Sequence, residues 1–112
     1  MDTEVNGYYI LDENGNPEKK TSLFGWAIWM GENNMKRMIL KDYPNDHVMV
    51  STVFLGIDHS LPGDKEPLLF ETMIFEDGKS WDYQERYSTR EKAIEGHKRA
   101  VAFVFKELEF RH

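Results

Sequence analysis

The chain has 112 residues, of which 40% are hydrophobic, 13% aromatic and 30% charged, with a net charge of −6 and no cysteine. That length and apolar content suit one folded domain and exclude a disordered segment. The missing cysteine excludes disulfides, thiolate metal sites and cysteine nucleophiles and fits a reducing compartment. The acidic excess argues against a surface that tracks nucleic-acid phosphates.

The opening residues, Met-Asp-Thr-Glu-Val, are acidic and polar with no apolar run behind them, so no signal peptide is expected. No stretch approaches the roughly 18 apolar residues of a membrane span. The expectation is a cytoplasmic protein with no membrane partner.

Residues 8–20 read as a hairpin. Tyr8-Tyr9-Ile10-Leu11 is a strand by composition, Glu13-Asn14-Gly15-Asn16 supplies the turn, and Pro17 limits the return arm to an edge strand or a loop. Thr21 or Ser22 caps a short helix from Leu23 to about Asn34, on which Leu23, Trp26, Ala27 and Met30 fall at helical spacing. Phe24 and Trp29 lie on its flanks, so the helix is apolar most of the way round. Arg37–Lys41 is a brief strand, and Tyr43-Pro44-Asn45-Asp46 a turn.

Val48–Ile57 is the strongest strand, rich in β-branched and aromatic residues. After a loop from Asp58 to Glu66, Leu68–Phe75 forms a second strong strand that pairs antiparallel with it. Gly78–Gln84 reads as a loop, and Glu85-Arg86-Tyr87 as a few residues of strand. Ser88-Thr89-Arg90-Glu91 has the capping-box arrangement, with Ser88 or Thr89 as the cap of a helix running to about Leu108. Its apolar stripe is Ile94, His97, Val101, Val104 and Leu108. The expected fold class is α+β. It is a single domain over residues 1–112, an antiparallel β-sheet of about four to five strands with a short N-terminal helix and a long C-terminal helix packed on it.

Both strong strands are largely apolar on both faces, which a sheet with one solvated face would not show. The N-terminal helix, a ligand or a second copy of the chain would cover the second face. With two helices available, a homodimer is an expectation.

Four polar residues stand out by position. Asp58 and His59 end the first strong strand, Glu71 interrupts the second, and His97 lies on the apolar stripe of the last helix beside Gly96. If the helix packs on the sheet face bearing Glu71, then Glu71 and His97 meet. Carboxylate and imidazole groups so gathered would suit a metal ion or general acid–base chemistry. The plainer reading makes Asp58 a loop cap, Glu71 a partner of Arg86 or His97, and His97 a core histidine satisfied by a hydrogen bond. No His-Glu-x-x-His or His-x-His spacing is present. Trp81, Arg86 and Tyr87 are candidate ligand contacts, stacking on a base or nucleotide, against the alternative that the aromatics lie over the core.

The segments Ser51–His59, Pro67–Phe75, Arg86-Tyr87-Ser88-Thr89 and Gly96-His97 resemble a family of small proteins encoded by bacteriophages and prophages. Where that family has a glycine-rich loop after the histidine, this chain has Ser60-Leu61-Pro62-Gly63-Asp64-Lys65. The resemblance implies a phage accessory protein acting inside a bacterial cell by binding or blocking a host component, and it brings no reaction or cofactor with it. Three readings stand: a non-enzymatic binding module; a small metal-dependent, hydrolase-like enzyme using Asp58, His59, Glu71 and His97; and a protein that sequesters a nucleotide-like ligand.

Overall fold

The computed structural model describes residues 4–111. Strands β1 (Glu4–Leu11) and β2 (Pro17–Ser22) form an antiparallel two-stranded sheet in which Tyr9 faces Lys19 and Leu11 faces Pro17. The Asp12 carboxylate closes their turn by accepting from the amides of Asn14 and Asn16, each at 2.9 Å. Pro17 opens a strand that has no neighbouring strand on its outer side among the described residues, the position its missing N–H permits.

Helix α1 (Leu23–Glu32) follows at once, capped by the Ser22 hydroxyl, which accepts from Gly25 N at 3.0 Å. A single turn, α2 (Asn34–Arg37), leads into β3 (Met38–Asp42). Strands β4 (Val48–Phe54), β5 (Phe70–Glu76) and β6 (Lys79–Tyr87) complete a second, wholly antiparallel sheet in the order β3-β4-β5-β6. The fold is therefore α+β, as composition and periodicity indicated. The division of its strands between two sheets was not legible there.

The segment expected as a loop at Gly78–Gln84 belongs to β6. Asp77 and Gly78 both take positive φ, 50° and 82°, the pair of values a two-residue primed turn requires. That turn joins β5 directly to β6, with Glu76 opposite Lys79. The alternation Trp81, Tyr83, Glu85, Tyr87 is the strand signal that the loop reading passed over.

Helix α3 (Arg90–Glu109) is capped by Thr89, whose hydroxyl accepts from Lys92 N at 3.1 Å, so the cap left open between Ser88 and Thr89 is Thr89. It packs across one face of the four-stranded sheet. Val48, Val50 and Ile74 meet Ala100 and Val104 beneath it. Phe54, Leu69, Phe70 and Tyr87 meet Leu11 and Ala93 near its start, where Tyr9, Trp29 and Ile39 also pack. The hairpin is tied to the end of β4 by Tyr9 N donating to Gly56 O at 2.8 Å and Asp58 N donating to Gly7 O at 2.7 Å.

The other sheet face carries Met49, Val53, Met73 and Phe75, all half-buried. Helix α1 is not its cover. It lies on the hairpin and reaches β4 only at the strand's far end, where Trp29 packs edge-on against Phe54 and the Trp26 indole donates to Gly56 O at 3.0 Å.

Candidate functional site

Strand alternation decides which polar residues can meet. On β4 the sequence Val48, Val50, Thr52, Phe54 points at α3, and on β5 Phe70, Thr72 and Ile74 do the same. Thr52 and Thr72 are directly paired across the two strands, and both are fully buried. Their hydroxyls hydrogen-bond to each other.

His97 reaches this pair from the helix. Its ring is 2% exposed, with Nδ1 2.7 Å from Thr52 Oγ1 and Nε2 2.7 Å from Asp42 Oδ2. At the other end the Tyr87 hydroxyl donates to Thr72 Oγ1 at 3.1 Å. One tautomer satisfies every group. Nε2–H donates to the Asp42 carboxylate, and Nδ1 accepts from Thr52. Thr52 then accepts from Thr72, and Thr72 from Tyr87. The result is a continuous polar thread from the half-exposed Asp42 into the core.

An acid, an imidazole and a hydroxyl in series invite comparison with a nucleophilic triad. The chemistry differs at the decisive point. Thr52 Oγ1 is enclosed by Thr72 and His97 and has no accessible surface from which to meet a substrate atom. The thread holds α3 to β4 and β5 in a fixed register, because burying any of its members without its partner would cost about 1–3 kcal/mol. Tyr87 belongs to the same construction, and burial pushes its hydroxyl pKa up to about 12.

The structure does not bring the four candidate residues together. Glu71 follows the same alternation to the opposite face, away from His97. There its Oε2 accepts from Arg86 Nε and from Gln84 Nε2, both at 2.9 Å. Asp58 and His59 lie beyond the end of β4. Asp58 Oδ1 accepts from Ser60 N at 2.8 Å and Leu68 N at 3.0 Å, clamping the loop that leads back to β5. Partial burial pushes the Asp58 carboxyl up, but these hydrogen bonds outweigh it and hold the group below its usual range. His59 Nδ1 donates to Ile57 O at 2.7 Å. Among the described residues, no group of three or more His, Asp or Glu side chains converges as metal ligands would.

The candidate ligand contacts also separate. Trp81 and Tyr87 lie on the α3 side of β6. Trp81 meets Phe103 edge-on and donates to Glu76 Oε1 at 3.1 Å. Arg86 lies on the other face, paired with Glu71.

A further histidine pair escaped the sequence reading. His47 Nδ1 and Asp77 Oδ1 are 2.9 Å apart at the end of the sheet, and that hydrogen bond raises the His47 pKa above its ordinary value. A cleft of about 420 Å3 beside it is lined by Tyr43, Met49 and Phe75 among others. The residues are 30 apart in sequence, and only the strand register unites them. Compared with known proteins, the chain matches no family model, no curated protein and no solved structure.

Proposed function

We propose that this chain is a non-enzymatic binding module, of the phage accessory type that the segments between Ser51 and His97 resemble, working in the bacterial cytoplasm. One observation carries the reading. Helix α1 reads Leu-Phe-Gly-Trp-Ala-Ile-Trp-Met-Gly-Glu, apolar but for its last residue, yet none of its residues is fully buried and Phe24, Ala27, Ile28 and Gly31 are exposed. A helix hydrophobic on all sides normally lies within a core, so one left at the surface marks a contact surface. The enclosed His97 supports the same reading from the opposite direction, since the most triad-like group in the chain is spent on packing.

The test is a search for turnover by the purified protein on ester, phosphate and peptide substrates, joined to elemental analysis. The reading expects no turnover and no stoichiometric metal. Turnover that disappears in His97→Ala, His59→Ala or His47→Ala would overturn it in favour of the enzyme.

A further inference from the structure

Helix α1 has two unlike faces. Trp26, Trp29 and Met30 turn toward the hairpin and the end of β4: Trp26 stacks edge-on with Tyr8 at 4.6 Å, Trp29 meets Phe54, and a Cβ on Gly56 would stand 2.7 Å from Met30 Sδ. Phe24, Ala27, Ile28 and Gly31 form the outward stripe, spaced by three and four residues. Phe24 is 58% exposed and Ile28 60%, and among the described residues nothing lies within 4 Å of where a Gly31 side chain would begin.

Read along the helix, the stripe runs large, small, large, small. Its reverse runs small, large, small, large, so the stripe is complementary to itself when turned end for end. Two copies of α1 laid antiparallel, with a two-fold axis between Ala27 and Ile28, set Phe24 of each over Gly31 of the other and Ile28 of each over Ala27 of the other. Large residues opposite small ones let the ridges of one helix enter the grooves of the next.

The charges agree with that direction. The Lys20 side chain lies along the first turn, its Cε 3.0 Å from where a Cβ on Gly25 would stand. Glu32, the one charged residue of α1, occupies the last turn. Antiparallel pairing brings Lys20 of one copy near Glu32 of the other, whereas parallel pairing would set like beside like.

We infer that α1 is the contact helix of a symmetric homodimer in which two α1 helices pack antiparallel through Phe24, Ala27, Ile28 and Gly31. This names the partner within the binding-module reading and rests on it. A single ten-residue helix contributes less than the roughly 800 Å2 per partner of a standard interface. Met35, 87% exposed, and Met38, 38% exposed, follow α1 in the chain. The dimer is accordingly weak, dissociating at about micromolar concentration.

Sedimentation velocity of the full chain over a concentration series tests the inference. The expected result is a concentration-dependent shift from one chain to two. Ile28→Glu should abolish the shift while leaving the thermal midpoint unchanged, since the residue is exposed. Gly31→Leu is the sharper variant. It improves helix propensity and meets open space in the single chain, yet fills the hollow that receives Phe24, so association should weaken at least tenfold. A nonspecific apolar patch would instead associate more tightly with the added leucine, and that outcome overturns the proposal. Lys20→Glu should weaken the dimer, and Glu32→Lys in the same chain should restore it. A native chain that stays monomeric throughout the series, including one that sediments with phosphatidylserine vesicles instead, also overturns it. A monomer without turnover removes this interface and leaves the binding module standing. Histidine-dependent turnover removes the binding-module reading while the mass measurement stands.

Discussion

Tyr87 lies directly across the backbone of Gly96, so close that a Cβ on Gly96 would overlap the phenol ring. Gly96 sits in the middle of α3 and is buried there, at a position where glycine costs a helix about 1 kcal/mol relative to alanine. The glycine is what lets the last strand and the helix approach closely enough for Tyr87 to reach Thr72.

Gly96→Ala should therefore destabilise the protein, although the same change on an exposed helix would stabilise it. Overpacking of this kind costs about 1–3 kcal/mol. Urea unfolding measures it. Adding Tyr87→Ala to Gly96→Ala should relieve part of the clash, so the double variant should lose less than the sum of the two single losses.

The thread through His97 should show coupling of the same kind. Thr52→Val and His97→Leu each strand a buried partner and should each cost about 1–3 kcal/mol. Together they should cost less than the sum, with a coupling of about 0.5–3 kcal/mol in a double-mutant cycle. Strict additivity would mean that the hydrogen bond between them contributes nothing.

Alkaline conditions should single out Tyr87. Burial raises its pKa from 10.0 to about 12, so the folded chain holds a proton that the unfolded chain releases first. The contribution is intact below pH 10 and is lost as pH rises from there toward 12, amounting to about 2–3 kcal/mol over the range. Denaturant midpoints measured across that interval should fall in the native chain. They should fall less steeply in Tyr87→Phe, which begins from lower stability because Thr72 loses a donor.

The His47–Asp77 pair predicts a titration. Hydrogen bonding to Asp77, followed by its charge, raises His47 above 6.5, so the pair supports the fold below about that pH and stops doing so as pH rises through the raised value. Proton NMR of the imidazole should report the elevated value. Asp77→Asn, which tolerates the same positive φ, should return it toward 6.5. An unchanged titration in that variant would assign the shift to another group.

The sequence by itself determined the class of the fold and most of its elements. The β-branched runs at Val48–Ile57 and Leu68–Phe75 and the capped helix after Thr89 are local signals, and local signals survive whatever surrounds them. Of β6 the sequence marks only Glu85-Arg86-Tyr87 as strand, because the alternation that runs back through Tyr83 and Trp81 sets an acidic residue and aromatics on one face. The candidate site was less legible. His97 is marked by its place on an apolar stripe, but its partners are Thr52 and Asp42, with Thr72 behind Thr52, and not Glu71. Those threonines gave no warning, since a β-branched residue in a strand looks like an ordinary strand former. Only the pairing of β4 with β5 sets Thr52 opposite Thr72, and the single-residue alternation sends Glu71 to the far face. Likewise, the apolar composition of α1 was plain in the sequence, while its exposure was decided by tertiary structure. α3 covers one face of the four-stranded sheet, and α1 packs one side of itself on the hairpin, which leaves its other side exposed.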